Sequence, residues 1–436
     1  MYSRAIPQLH HNSIVNQCCI KVVEYALSLL WSYWPQERTL AVLLCGSWPL
    51  GMGCAEVVDG EVKFISDWDL MVIIDDKSEL AYARKVKLAL DSALKEKAKK
   101  GEINAQVDCG FVRVSDLPSE AKSLFWFDCC SHALLIWGRM NPLDQIDRPE
   151  QLNPREGVLL LANRALGQLL ILPSIISDSD DVSRAIYHCG KVAVDGISAL
   201  RIVIGKYVPG LSAVNDEVGE IEVVSSDRDV LRNIVNTAKF WKEQKRDYNV
   251  KNILAAFGSF IDDERPSPFG VWLWAAQMFQ TVWNMVMKIV LHDTTDLLRA
   301  AQEVLIWGEY KGVFECMRSW KTFLASSSQH RVKATYLDTM RFSWRATPII
   351  AARLGGVIGL CYHPWGNALN FQKGMKLIKN FLPSAKVKDL NYIEKWVHFM
   401  DDSVSIWRVY VNNYDERTST LLNYISMMER YRNRGH

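Results

Sequence analysis

The chain has 436 residues, more than one small core accommodates, which predicts two domains. Hydrophobic residues make up 49% and charged residues 23%, an ordinary balance for a soluble globular protein. The net charge of +2 supplies no global field toward nucleic acid or an anionic membrane, so neither is an expected partner.

Ten cysteines include the neighbours Cys18-Cys19 and Cys129-Cys130, and no Cys-x-x-Cys pair occurs. This usage predicts reduced thiols, a cytoplasmic setting without a secretory signal, and no zinc site. Sixteen Trp are enough for an aromatic core, and for a helical domain that lines a ligand cleft.

A helix is expected over 13–34, where Ile14, Cys18, Val22, Ala26 and Leu30 recur at i, i+4, with Ser13 as its cap and Pro35 as its stop. The apolar run 39–45 predicts a strand buried on both faces. It ends at Gly46-Ser47, which reads either as an ordinary turn or as a phosphate-binding turn. In the second reading Gly lets the backbone approach, and backbone N–H groups and the Ser47 hydroxyl donate. Asp59-Gly60 between two short β-like runs predicts a type I′ hairpin, and Glu56, Asp59 and Glu61 read as solvated charges. Asp67 and Asp69 open the next strand, 67–74. Side chains alternate along a strand, so both acids point one way and Trp68 points the other. Their Cα atoms then lie about 6.6 Å apart, close enough to converge on one divalent cation and to repel without it. Asp75-Asp76 end this strand, and a helix is expected over 78–100, its last turn rich in Lys. Asp108 interrupts another strand, 103–114, and a short strand follows at 133–137. These alternations predict an α/β domain over 1–150, ended by the Pro-rich loop 141–154.

Helices are expected through 151–436: at 155–172, 181–207, 228–245, 270–292, 297–307, 311–325, 334–354, 371–381, 392–411 and 417–431, with loops at 205–215 and 361–366. The apolar run 269–291 is long enough to raise the membrane question. Gln277, Gln280, Thr281, Asn284 and Lys288 interrupt it and favour a buried helix. Tyr187, Lys191 and Asp195 share one face of the second helix. His363 reads as a structural loop residue. The fold class is therefore α+β, with an N-terminal mixed-sheet domain and a larger all-α domain.

The order Gly46-Ser47, then Asp67-x-Asp69, then the lone Asp108 resembles the polymerase-beta-like nucleotidyltransferase superfamily, over about the first third of the chain. That resemblance implies a nucleotidyltransferase catalytic domain over 1–150. Asp67, Asp69 and Asp108 would be catalytic and bind two Mg2+ ions, with an NTP as substrate. Asp108 would be a metal ligand, the acceptor of the hydroxyl proton, or both. Gly46 and Ser47 would bind the nucleotide. Such enzymes often carry a Lys on a later helix that reaches the triphosphate, which Lys191 matches; the alternative is a surface Lys paired with Asp195. The implied reaction is transfer of a nucleoside monophosphate from an NTP to a hydroxyl acceptor, a sugar or other small molecule, with release of pyrophosphate. The helical domain 151–436 would bind acceptor and nucleotide. The alternatives are a second-messenger synthase of the oligoadenylate or cyclic-dinucleotide type, and a protein- or RNA-modifying transferase. The sequence leaves the base, the acceptor and the oligomeric state open.

Overall fold

The computed structural model describes residues 6–78, 80–176, 182–210, 228–244, 248–261, 267–291, 348–361 and 363. The helices expected at 297–307, 311–325, 371–381, 392–411 and 417–431, and the first part of 334–354, lie outside these residues. The chain is mixed α+β and divides into two compact units. The first takes in Met1–Asn153, Gly205–Asp216 and Lys239–Ile253; the second takes in Pro154–Ile204, Glu217–Ala238 and Leu254–His436.

The first unit is built on a four-stranded mixed sheet of β1 (Thr39–Cys45), β4 (Trp68–Ile74), β5 (Val107–Arg113) and β6 (Leu134–Gly138), in the order β5-β4-β1-β6. β1 runs antiparallel to β4 and β6, and β4 runs parallel to β5. A parallel pair needs a crossover, and the helix α2 (Leu80–Lys99) supplies it. The period of two in the strands sorts the core. Val42, Leu44, Trp68, Leu70, Val72, Val107 and Cys109 pack with α1 (Ser13–Tyr33) and α2 on one face. Ala41, Leu43, Cys45, Ile73 and Val112 pack on the other. Leu117 of the short α3 (Leu117–Glu120) and Trp126 and Cys129 of α4 (Leu124–His132) cover that second face. The remaining strands, β2 (Ala55–Val58) and β3 (Glu61–Phe64), form a separate hairpin. Its turn residues Asp59 and Gly60 have φ of 51° and 81°, both positive as a type I′ turn requires.

α1 differs in detail from the sequence expectation. Its cap is Asn12, whose side chain accepts from the N–H groups of Ile14 and Val15. Its buried stripe runs through Val15, Cys19, Val22, Ala26 and Leu30, while Ile14 is 53% exposed. A strict i, i+4 series drifts around a helix of 3.6 residues per turn, and the real stripe corrects the drift with one step of three. Among the described residues α1 is the one helix long and apolar enough to cross a membrane. Here its apolar side is buried in the first unit's core.

In the second unit α5 (Pro154–Ile176) packs on α6 (Val182–Val203). Two further helices close over them, Pro268–Leu291 on both and Pro348–Cys361 mainly on α5. In sequence between α6 and these two helices come Arg228–Gln244, here α7, and Val250–Ile261, here α8, each divided between the two units; the last two helices are α9 and α10. α8 had no counterpart in the sequence reading. α9 buries Trp272, Phe279, Val282, Trp283 and Val286 and leaves Gln277 and Lys288 outside, the pattern of a core helix with one wet side.

Candidate active site

The site begins where β1 ends. Gly46 has φ +75°, a conformation open to glycine at little cost, and a Cβ there would stand 2.6 Å from the Asp69 carboxylate. Gly46 is exposed and Ser47 half-buried. The loop after them closes on itself: the Gly51 N–H donates to the Trp48 carbonyl and the Met52 N–H to the Ser47 carbonyl, both at 3.0 Å. Trp48 turns inward. Its indole N–H donates to the Asp67 carbonyl at 3.1 Å, and its ring stacks on Trp68 with centroids 4.4 Å apart. Phe64 meets both rings edge-on. Gly53 packs so closely on Trp48 that a Cβ would fall 2.0 Å from the ring. The chain from Ser47 to Asp67 is long, yet it is tied down at both ends. The Ser66 hydroxyl accepts from the Cys54 N–H at 2.9 Å, and the Cys54 carbonyl accepts from Ile65 and Ser66. This aromatic layer lies on the side of β4 opposite Asp67 and Asp69, and it fixes the backbone from which those two side chains project.

Register brings the acids together. Cys45 pairs with Asp69 across β1 and β4, and Asp69 pairs with Asp108 across β4 and β5. Residues opposite one another on neighbouring strands share a face, with strands about 4.8 Å apart. Asp67 lies one residue before β4, and its negative charge is felt at Asp108. All three acids are half-buried. Burial raises the pKa of the Asp108 carboxyl above the usual carboxylate range, and the negative charge of Asp67 raises it further; Lys87 acts in the opposite direction. Among the described residues no group of three or more His, Cys, Asp or Glu side chains stands close enough to hold a metal. The register fixes the backbones of Asp69 and Asp108, and like charges favour separation of the carboxylates in the absence of a cation. Their all-oxygen donor set suits a hard cation such as Mg2+, so Asp67, Asp69 and Asp108 are the residues that could hold one.

No family model, curated protein or solved structure matches this chain.

Lys191 belongs to the second unit, on α6. Its ammonium lies 4.8 Å from the centroid of the Tyr187 ring, a cation–π contact at i, i+4. Asp195 pairs with Arg164 of α5, whose Nε donates to Oδ2 at 2.6 Å. Both side chains of that pair are mostly buried. His363 is buried against Trp272, edge to face, and burial lowers its pKa to about 4.

Glu56 corrects the reading of a solvated loop charge. It is 4% exposed and its carboxylate accepts from the Val250 N–H at the start of α8, where a helix favours negative charge. Three further features escaped the sequence: α3 and α4 over the acidic face, the Trp48 anchor, and an ion pair between Lys87 and Asp91 on α2. The first lacks a strong periodic signal. The second rests on a contact 19 residues apart. The third had an i, i+4 signal that the sequence reading did not take up.

Proposed function

We propose that this protein is a metal-dependent nucleotidyltransferase that moves a nucleoside monophosphate from an NTP to a hydroxyl on a small acceptor, releasing pyrophosphate. The observation that carries the reading is the alignment of Asp69 with Asp108 across neighbouring strands, with the Asp67 charge acting on Asp108 and Gly46 against the Asp69 carboxylate. Three acids on one sheet face repel without a cation, so their assembly beside a glycine turn has a reason in binding a cation and a phosphate chain.

In this reading Gly46 gives the phosphates access to the backbone, and the Ser47 hydroxyl donates to them. Asp67, Asp69 and Asp108 would hold Mg2+, which would supply charge neutralisation to the phosphates and the leaving pyrophosphate. Asp108, whose proton affinity is raised by burial and by Asp67, takes the acceptor's hydroxyl proton at its carboxylate. The protein's own contribution is mainly positioning and electrostatics.

The test is pyrophosphate release from each NTP in Mg2+, with and without a panel of sugar and polyol acceptors, by wild type and Asp69→Asn. Acceptor-dependent release lost in the variant supports the reading. Release from NTP alone with an oligomeric or cyclic nucleotide product would move the assignment to a second-messenger synthase. No release under any condition from folded protein would refute nucleotidyl transfer.

A further inference from the structure

The near-neutral charge of the whole chain hides a local imbalance on α2. The chain's net charge is +2, yet α2 carries six Lys and Arg against two acids, Asp91 and Glu96. Both acids are taken up: Asp91 pairs with Lys87, and Glu96 with Lys100 just past the helix end. Lys97 pairs with Glu102. The four cations left over, Arg84, Lys85, Lys95 and Lys99, have no acid partner among the described residues.

Their spacing gathers them on one face. Ala83, Val86, Leu90 and Leu94 form the buried stripe of α2. Arg84, Leu88, Ser92, Lys95 and Lys99 follow one another at steps of three and four on the opposite side, with Lys85 beside them. Arg84, Lys85, Ser92 and Lys99 are exposed and Lys95 is half-buried; Leu88, in the middle, is 51% exposed. Arg84 to Lys99 spans about 22 Å at the rise of an α-helix. Lys95 and Lys99 stand at i, i+4, a like-charge spacing that destabilises a helix in isolation. The helix dipole accounts for Lys97 and Lys99 in the last turn but not for Arg84 and Lys85 in the second. α2 packs with Val42, Trp68 and Cys109 on one side of the sheet, while Asp69 and Asp108 keep the period of Ile73 and Val112 on the other. A partner seated on α2 therefore does not obstruct the acidic face.

We propose that this face of α2 docks the protein on an anionic phospholipid surface, its cations meeting headgroup phosphates and Leu88 entering the boundary between headgroups and acyl chains. The composition of the face favours a bilayer over a nucleic acid. Three of its four cations are lysines, point charges on long stems that reach a plane from several angles. Its centre is aliphatic, which suits acyl chains and offers no stacking platform for bases. Tyr82, the one aromatic residue of α2, has its ring stacked on Trp34 with centroids 5.5 Å apart. α2 contains no Asn or Gln to read base edges. Docking by this face is independent of the nucleotidyl-transfer reading.

The experiment is flotation of the full chain with vesicles of phosphatidylcholine, with or without phosphatidylserine. Wild type is compared with Arg84→Gln/Lys95→Gln/Lys99→Gln, with Leu88→Gln, and with a control, Lys122→Gln/Lys251→Gln/Lys288→Gln, that removes the same charge at exposed positions outside α2. Wild type binds the phosphatidylserine vesicles and not phosphatidylcholine alone, and binding falls as salt rises. Each cation near such a surface contributes about fivefold, so the α2 triple variant loses about 100-fold. Leu88→Gln loses severalfold, and the control triple stays within about threefold because its charges lie beyond the screening length. Three results would overturn the proposal: no binding of phosphatidylserine vesicles by wild type, an α2 triple variant that binds as wild type does, or an equal loss in the control triple. Single-stranded RNA is run alongside; RNA binding that the α2 triple loses, without vesicle binding by wild type, would overturn lipid docking and assign the face to nucleic acid.

Discussion

Replacing Asp108 by Asn should stabilise the metal-free protein and abolish turnover in the same stroke. Asp108 pairs in register with Asp69 across two parallel strands, and the negative charges of Asp67 and Asp91 act on it. A like-charge cross-strand pair costs about 0.2–1 kcal/mol, and the half-buried position adds a desolvation penalty for the ionised form. Asn keeps the shape and removes both costs, so the gain is about 1 kcal/mol at pH 7, or roughly 2–4 °C in Tm. The pH dependence has a fixed sign. A carboxyl whose pKa is raised by folding favours the folded state below its unfolded pKa, and that contribution is lost as pH rises through its folded pKa. The advantage of Asp108→Asn is therefore full at neutral pH and vanishes toward pH 3.5. Excess Mg2+ should stabilise wild type by mass action and leave the variant behind. The assay is differential scanning calorimetry of both proteins at pH 7 and pH 3.5, with chelator and with Mg2+. A variant no more stable than wild type at pH 7 in chelator would show that the acids do not repel, and the electrostatic reading of the site would fail.

Gly46→Ala should lose about 1–2 kcal/mol of stability from its positive φ and displace Asp69, because the new Cβ would overlap the carboxylate 2.6 Å away; urea unfolding and Mg2+–NTP titration should both report the change. Trp48→Phe keeps most of the ring but removes the donor to the Asp67 carbonyl, so stability should fall by about 1 kcal/mol and nucleotide affinity should weaken; an unaltered affinity would show that the Asp67 backbone needs no such tether. Arg164→Met strands Asp195 in a mostly buried position and should cost about 3 kcal/mol by chemical denaturation, a loss that Asp195→Asn in the same chain should largely reverse. His363 is held neutral by burial, with its pKa lowered to about 4, so stability should be full above pH 6.5 and decline as pH falls toward 4, by about 3 kcal/mol in all; His363→Phe should flatten that acid limb in a Tm-against-pH series.

Much of the first unit could be read from local signals. The run 39–45 announced a strand buried on both faces, and the structure shows six of the seven residues of β1 buried. Asp59-Gly60 announced its turn because few residue pairs accept two positive φ angles. Period two set Asp67 and Asp69 on one face of the expected strand 67–74, whereas β4 begins at Trp68 and leaves Asp67 just outside it. Nothing local could say that Asp108 would fall opposite Asp69, since register between β4 and β5 is set by how α2 packs across the sheet. The same limit hid Trp48 under Asp67 and Glu56 beneath α8, contacts whose partners are 19 and 194 residues away. In the helical half, α9 was legible because its polar interruptions keep to one side. The alternative pairing of Lys191 with Asp195 followed from spacing alone, and the fold instead sets Lys191 on the Tyr187 ring and Arg164 on Asp195.

The most direct test of nucleotidyl transfer is isothermal titration of each NTP with Mg2+ into wild type and into the Asp67→Asn/Asp69→Asn double variant. Metal-dependent binding of an NTP by wild type, absent from a folded double variant, is the predicted result, and it would name the base. Equal binding by both proteins, or none by wild type, would contradict a triphosphate site built on these acids.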